Sequence, residues 1–113
     1  MITIYHNPRC SKSRQGLALV EASGKDFEIV KYLDATITFQ QLKTIISKLH
    51  IDPIDLVRKN EAIWKSDFKG KTLSYTEIIN AMVLNPKLIE RPIVINGDKA
   101  TIGRPPETIL NII

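Results

Sequence analysis

The sequence has only one cysteine among its 113 residues, Cys10. A single thiol cannot form an internal disulfide, a Cys-x-x-Cys redox pair or a zinc site built from cysteines. Any redox reaction at Cys10 therefore requires a second thiol that another molecule supplies. We predict no metal site and no tightly bound cofactor.

Long apolar segments are also missing, because no run approaches the ~20 residues that cross a bilayer. The N-terminal segment lacks the basic stretch and apolar core of a signal peptide, so we expect a cytoplasmic protein with no membrane partner. Lysine and arginine outnumber aspartate and glutamate by 16 to 12, but they are spread along the chain and not interleaved with aromatic residues. This pattern predicts no nucleic-acid partner, whereas the net charge of +4 suits a small anionic substrate.

The first third of the chain contains a pattern of alternating strands and helices. The segment Ile2–Tyr5 predicts a strand, Ser11–Ala22 predicts a helix, and Phe27–Tyr32 predicts a second strand. A strand, a helix and a strand within so few residues predict a parallel pair with a right-handed crossover. This arrangement is the core of an α/β fold.

The middle of the chain, about 36–90, predicts a helical insertion. Capping boxes at Thr38–Gln41 and Ser74–Glu77 each predict the start of an amphipathic helix. The less regular segment between these helices includes Arg58 and Trp64, and it predicts a short helix followed by a loop. Packing in the core is the expected place of the large Trp64 side chain.

The last third predicts a β-hairpin and a final helix. The segments Pro92–Ile95 and Lys99–Ile102 flank Asn96-Gly97, a dipeptide typical of two-residue hairpin turns. The predicted element order is β-α-β, the helical insertion and β-β-α, in one domain over residues 1–113 with a small mixed sheet flanked by helices. The inner face of the final helix is predicted to carry Ile109, Leu110 and Ile113.

Cys10 lies between the first predicted strand and the first predicted helix. Its sulfur would lie at the positive end of the helix dipole, near free backbone N–H groups, and such a position favours a thiolate. The alternative of a small buried hydrophobe fits poorly with the polar, basic segment 8–14. Four neighbouring residues would add positive potential: His6, Arg9, Lys12 and Arg14.

Two known thiol motifs are absent from this loop. A phosphatase-type anion loop has an arginine six residues after its cysteine, and that position is occupied by Gly16. A thioredoxin-type dithiol has a second cysteine three residues after the first, and that position is occupied by Ser13. The resulting Cys-x-x-Ser pattern allows mixed-disulfide or thiol-adduct chemistry only, so the sequence predicts a monothiol mechanism.

Three arginines lie beside turn-forming or proline residues, at Arg58, Arg91 and Arg104. Guanidinium groups suit the multidentate recognition of tetrahedral oxyanions. Strand ends in one parallel sheet would bring Arg91 toward the edge that holds Cys10. Taken singly, each arginine also fits a solvated surface charge.

Four segments in this order resemble the glutaredoxin-coupled arsenate reductase (ArsC-like) family: IYHNPRCSKSR at 4–14, LVRKN at 56–60, ERPIV at 90–94 and GRP at 103–105. The resemblance covers nearly the whole chain and implies a thioredoxin-like fold, with a cis peptide bond before Pro92. It implies that Cys10 is the nucleophile and that His6 helps to hold it as a thiolate. The predicted oxyanion-binding residues are Arg58, Arg91, Arg104 and Ser13.

The resemblance also implies a reaction and its partners. The Cys10 thiolate would attack arsenate, glutathione would add as a co-substrate, and glutaredoxin would take up the oxidising equivalent before arsenite leaves. The sequence has Ser11-Lys12 where typical arsenate-resistance enzymes have Gly-Thr. Two alternatives stay open. One is a monothiol oxidoreductase acting on glutathione or protein disulfides, and the other is a non-enzymatic transcriptional regulator resembling the Spx proteins, against which Ser13 counts.

Overall fold

The computed structural model describes every residue from Met1 to Ile113. The chain divides into two compact units. The first, the sheet unit, consists of Met1–Ala35 and Arg91–Ile113, and the second, the helical unit, consists of Thr36–Glu90. The assignment of 1–113 to a single domain stays a prediction. None of the helices combines the length and the apolar character needed to span a membrane.

The sheet unit is built on four strands in the order β2-β1-β3-β4. Strand β1 pairs in parallel with β2 and antiparallel with β3, and β3 pairs antiparallel with β4. The predicted parallel pair, the predicted hairpin and the mixed α/β class are therefore confirmed. The strands are β1 (Ile2–Tyr5), β2 (Phe27–Val30), β3 (Ile93–Asn96) and β4 (Lys99–Ile102).

Three strand boundaries differ from the prediction, and one of them is the start of β3, which is Ile93 instead of Pro92. Strand β2 ends at Val30 instead of Tyr32, because the chain turns over residues 32–34 after the strand. The hairpin turn is Gly97-Asp98 instead of Asn96-Gly97, because Asn96 still pairs with Lys99. Gly97 has a φ of 67°, a backbone conformation that glycine adopts without steric cost.

The final helix is a 3-10 helix over Pro106–Asn111. Ile109 is fully buried on its inner face, but Leu110 is 55% exposed, so the prediction for Leu110 is wrong. The tighter winding of a 3-10 helix moves a side chain to another face than the 3.6-residue period predicts. Ile113 is partly buried against the core.

The helix α1 (Ser11–Ala22) packs in the sheet unit beside the segment that leads into β3. A Cβ atom at Gly16 would lie 2.7 Å from Cγ of Pro92 and 2.9 Å from Cδ1 of Ile109. Only a residue without a side chain allows this close approach. The core of the sheet unit contains Ile2, Ile4, Val20, Val94 and Ile109.

Both predicted capping boxes are present in the helical unit. The Thr38 hydroxyl accepts from the Gln41 N–H at 3.1 Å, and the Gln41 side chain accepts from the Thr38 N–H at 2.9 Å. Ser74 and Glu77 form the same reciprocal pair. The helices are α2 (Phe39–Leu49), α3 (Ala62–Asp67) and α4 (Tyr75–Leu84), with 3-10 helices at Pro53–Leu56 and Pro86–Leu88.

The segment between α2 and α4 is the part that the sequence described least well. Trp64 is buried in α3, as expected, and it stacks on Phe68 with the ring centroids 5.4 Å apart. Arg58 lies before α3, on the residues that link the first 3-10 helix to it, instead of inside a helix. Its backbone N–H donates to the Leu88 carbonyl at 2.7 Å, so a long-range contact and not local periodicity sets its conformation.

Candidate active site

The loop between β1 and α1 is organised by Asn7. The Asn7 carbonyl accepts from the Cys10 N–H at 3.0 Å, and the Asn7 side-chain oxygen accepts from the Arg9 N–H at 3.0 Å. The Asn7 N–H donates to the Ser13 hydroxyl at 2.9 Å. These three bonds fix the loop on both sides of Pro8 and place Cys10 at the start of the helix.

Cys10 is the N-cap residue of α1, in an extended conformation. Its side chain makes no capping hydrogen bond, and its thiol is partly buried. The first turn of the helix contains no acidic residue. The sulfur therefore stands at the helix N-terminus without a neighbouring carboxylate in that turn, as the sequence predicts, and the helix dipole favours a negative charge there.

Arg104 contacts the thiol directly, since its Nη2 atom lies 3.6 Å from Sγ of Cys10. The Nε–H of Arg104 also donates to the Arg91 carbonyl at 2.9 Å. A guanidinium anchored at one nitrogen and directed at sulfur with another has few orientations left. The structure thus brings two of the predicted arginines to the thiol. Arg104 contacts the sulfur through its side chain, and Arg91 holds Arg104 through its backbone carbonyl.

Arg91 reaches this place because β3 runs antiparallel to β1. The start of β3 then lies beside the end of β1, and Tyr5 faces Ile93 in the register. The sequence analysis expected Arg91 at this edge because it assumed that the strands are parallel, whereas the antiparallel pairing of β1 and β3 places it there. The peptide bond before Pro92 is cis, as the family resemblance implies, and the bond between Arg104 and Pro105 is also cis.

The Nε atom of Arg91 is buried and has no hydrogen-bond partner. An unsatisfied buried donor costs free energy, and a guanidinium nitrogen costs more than a neutral group. Such an orphan donor indicates either a strained site or a missing acceptor. An oxyanion would supply that acceptor.

Arg58, the third predicted anion-binding residue, lies in the helical unit and is already paired. Its Nη1 atom is 2.7 Å from Glu61 Oε1, and its Nε atom is 3.3 Å from Glu90 Oε1. Two carboxylates therefore already contact this guanidinium. The binding role of Arg58 stays a prediction, and an oxyanion would have to compete with both glutamates.

His6 and Ser13 form a buried pair instead of facing a ligand. Ser13 has no exposed surface, and its hydroxyl oxygen lies 2.6 Å from Nδ1 of His6. The prediction that Ser13 binds the substrate does not fit this geometry, because burial keeps its hydroxyl from an incoming anion. The sequence could not show this, since a serine three residues after the N-cap residue can be either buried or exposed to a ligand.

The pKa of His6 is lowered, chiefly by burial and further by the charges of Lys31 and Arg14. A lowered pKa disfavours the charged ring, which runs against the expectation that His6 adds positive potential. Its implied role in holding the thiolate stays a prediction, because the hydrogen-bond partner of Cys10 is Arg104.

The remaining positive charges of the loop lie at the surface. Arg9 and Lys12 are exposed, and Arg14 donates to the Pro8 carbonyl at 2.9 Å. No aspartate or glutamate occurs between residues 1 and 20. The exposed side of the loop is therefore basic, as the sequence predicts.

Two features of the site escaped the sequence analysis. One is the organising role of Asn7, although Asn-Pro is a recognised turn signal. The other is Gly103, whose N–H donates to the Pro92 carbonyl at 2.8 Å. A Cβ atom there would lie 2.8 Å from Cγ of Pro92, so only glycine lets the segment before Arg104 pass this close.

Comparison with known proteins assigns the chain to a family. The model of the ArsC family matches residues 5–112. An arsenate reductase of Haemophilus influenzae is 46% identical over 114 residues, which cover 99% of this chain and 98% of that protein. An arsenate reductase of Escherichia coli K12 is 34% identical, over 99% of this chain and 80% of that protein.

Solved structures agree with this assignment. The structure of an arsenate reductase from Vibrio cholerae superposes with a TM-score of 0.94 at 40% identity, covering 99% of this chain and 97% of that one. The thioredoxin-like α/β fold that the resemblance implies is confirmed. On the agreement of sequence and structure over nearly its whole length, the chain belongs to the ArsC family.

Proposed function

We propose that this protein is an arsenate reductase that uses Cys10 as its nucleophile and takes its electrons from glutathione and glutaredoxin. One observation carries the proposal, the guanidinium of Arg104 held 3.6 Å from the sulfur of Cys10. This contact brings the group that recognises an oxyanion to the group that would attack it. The relatives named arsenate reductase support the choice of anion.

The reaction begins when the Cys10 thiolate forms a bond to arsenic(V) and one arsenate oxygen leaves as water. A glutathione thiol then displaces a second oxygen as water. A glutaredoxin thiol attacks the glutathione sulfur, and the resulting mixed disulfide leaves an electron pair on arsenic, which becomes arsenic(III). Water finally displaces the sulfur of Cys10, so that arsenite leaves and the thiol is restored.

The arginines of the sheet unit bind and stabilise the anion in this scheme. Arg104 is fixed by the Arg91 carbonyl, so its charge needs little reorganisation as negative charge moves between sulfur and oxygen. The buried Nε of Arg91 is a donor without an acceptor, which an arsenate oxygen would satisfy. Arg58 is the weaker candidate because Glu61 and Glu90 already bind it.

The proposal is tested by NADPH consumption in an assay coupled through glutathione, glutaredoxin and glutathione reductase, with and without arsenate. We expect arsenate-dependent turnover that is lost in Cys10→Ser and strongly reduced in Arg91→Ala. The exposed Lys25 offers a matched control, since Lys25→Gln also removes one positive charge of the sheet unit. Turnover that is independent of arsenate would refute the proposal.

A monothiol oxidoreductase is the second candidate. The observation in its favour is that Cys10 is only partly buried while Ser13, in the place of a second thiol, is fully buried. The same assay with a glutathione mixed disulfide in place of arsenate distinguishes the two. Disulfide turnover that survives Arg91→Ala would favour this candidate. No feature of the site favours the regulator hypothesis, which stays a prediction.

A further inference from the structure

Ser13 is the buried centre of a small hydrogen-bond network. It lies in the first turn of α1 with no exposed surface. Its hydroxyl oxygen is 2.6 Å from Nδ1 of His6 and accepts from the Asn7 N–H at 2.9 Å. The hydroxyl makes no other hydrogen bond, so these two contacts account for all of its bonding.

Counting hydrogens assigns the proton between Ser13 and His6. A serine hydroxyl has one hydrogen to donate. The Asn7 N–H can only donate, so the oxygen of Ser13 accepts from it. If Nδ1 of His6 also carried a hydrogen, the hydroxyl hydrogen of Ser13 would be buried without an acceptor, which is unfavourable. The hydroxyl hydrogen of Ser13, the Asn7 N–H and Nδ1 of His6 all have a partner when Ser13 donates to a bare Nδ1.

We propose that Ser13 is a positioning residue that fixes His6 as the neutral tautomer with its hydrogen on Nε2. His6 then contributes to the loop of Cys10 as a neutral ring of fixed orientation and not as a positive charge. The relevance of this tautomer to catalysis rests on the proposed function. The assignment of the tautomer itself does not.

The surroundings of His6 agree with a neutral ring. Burial of the side chain, followed by the charges of Lys31 and Arg14, lowers its pKa, and the smaller opposing effects of the Ser13 backbone and Glu21 do not reverse this direction. The backbone of His6 is also fixed, since its N–H donates to the Val30 carbonyl at 2.9 Å. With the backbone held by β2 and Nδ1 held by Ser13, the ring plane has little freedom.

The same serine connects the ring to the nucleophile. Asn7 donates to Ser13 through its N–H and accepts from the Cys10 N–H through its carbonyl. Loss of the hydroxyl would release the ring and leave the Asn7 N–H without its acceptor. Both changes would loosen the loop that carries the thiol.

The tautomer is measured directly by the NMR shifts of the two ring nitrogens of His6 in the full-length protein at neutral pH. We expect one protonated nitrogen, Nε2, in the wild type. In Ser13→Ala we expect signals averaged between the two tautomers. The only other histidine, His50, is exposed and lies in the helical unit, so its signals serve as an internal control that Ser13→Ala leaves unchanged.

Two results would overturn the proposal. One is a hydrogen on Nδ1 in the wild type, and the other is a folded Ser13→Ala whose His6 signals match the wild type. The wild-type spectrum decides the assignment even if Ser13→Ala does not fold. Ser13→Thr keeps a hydroxyl, and we expect it to restore the Nε2 pattern if the added methyl group is tolerated.

Activity measurements separate this inference from the proposed function. We expect Ser13→Ala to lower the arsenate-dependent kcat by up to about 100-fold, the effect of a misplaced catalytic group, with a smaller change in KM. An unchanged kcat in a variant whose tautomer has shifted would refute the positioning role. If the wild type shows no arsenate turnover, the proposed function fails while the nitrogen shifts still test the tautomer.

Discussion

Arg104 in the sheet unit and Arg58 in the helical unit are the same residue type with different bonding partners. Arg104 donates to a backbone carbonyl and directs a second nitrogen at a thiol. Arg58 is bound by the carboxylates of Glu61 and Glu90. A guanidinium next to a turn therefore fits anion binding less well where two carboxylates already contact it.

The largest expected effect compares these two arginines directly. Arg104→Gln should lower kcat/KM for arsenate by about 100-fold, as the loss of one charge-stabilising donor does. Arg58→Gln should lower it by at most about tenfold, because that arginine is already compensated. Steady-state kinetics of both variants in the coupled assay measure the difference.

Equal losses of kcat/KM in Arg104→Gln and Arg58→Gln would contradict the difference expected between the two arginines. Glu61→Gln is the matched control, since it removes one of the competing carboxylates and keeps Arg58. If Arg58 reaches the anion only by leaving its glutamates, this variant should lower KM for arsenate. A KM that stays at the wild-type value would show that the glutamates do not compete.

The next effect concerns the packing that supports the Arg91 segment. Gly16→Ala would bring a methyl group within 2.7 Å of Cγ of Pro92, a rigid ring atom. We expect the free energy of unfolding to fall by about 1–3 kcal/mol, as overpacked cores do, with a loss of activity. Urea denaturation provides the measurement.

Gly24→Ala is the control for this packing effect. Gly24 has a φ of 70° and open space around it, so alanine there is strained by the backbone without touching Pro92. We expect a loss of about 1–2 kcal/mol with unchanged turnover. Equal activity losses in Gly16→Ala and Gly24→Ala would argue against a specific role of the contact with Pro92.

A cap in the helical unit tests whether stability there affects the thiol. Thr38→Ala removes the hydroxyl that accepts from Gln41, and it should cost about 1 kcal/mol in unfolding free energy. The rate at which iodoacetamide alkylates Cys10 should stay at the wild-type value. A changed alkylation rate in the folded variant would contradict the expectation that the stability of the helical unit leaves the reactivity of Cys10 unaffected.

His6 predicts how stability depends on pH. Its pKa in the folded protein is lowered, so the unfolded chain binds more protons than the folded one below the ordinary value of about 6.5. The unfolding free energy should therefore have its full value above that pH, and it should decrease as the pH falls from there toward the pKa of His6 in the folded protein. Denaturation at several pH values should show a shallower slope in His6→Gln than in the wild type, and His50→Gln should keep the wild-type slope.

The smallest expected effect is that of the exposed charges near the thiol. Arg9→Gln and Lys12→Gln should slow alkylation of Cys10 by iodoacetate, an anion, by about twofold to fivefold, since exposed charges contribute under about 1 kcal/mol. Alkylation by neutral iodoacetamide should change less. Added salt should reduce the difference between the two reagents.

The elements that the sequence predicted correctly are those that local patterns define. The capping boxes at Thr38 and Ser74 bind neighbours three residues away, and the strands follow from short β-branched runs. Cys10 at the helix start is equally local. These features need no tertiary information.

The parts that failed depend on contacts between distant segments. The conformation of Arg58 follows from a bond to Leu88, and the position of Arg91 follows from an antiparallel pairing with β1. Whether Ser13 is buried or exposed depends on which face of the first helical turn packs against the protein, and the structure shows that it is buried. Contacts of this kind produce no periodic pattern in the sequence. The family resemblance identified the arginines but not the residues that they bind.

The antiparallel pairing of β1 with β3 has a consequence for synthesis on the ribosome. Cys10 emerges early, whereas Arg104, its hydrogen-bond partner, follows 94 residues later. The strand that brings Arg91 to the thiol is made after the whole helical unit. During most of translation the nascent chain therefore carries a cysteine without its arginine partner, so the surroundings of Cys10 are completed only near the end of synthesis.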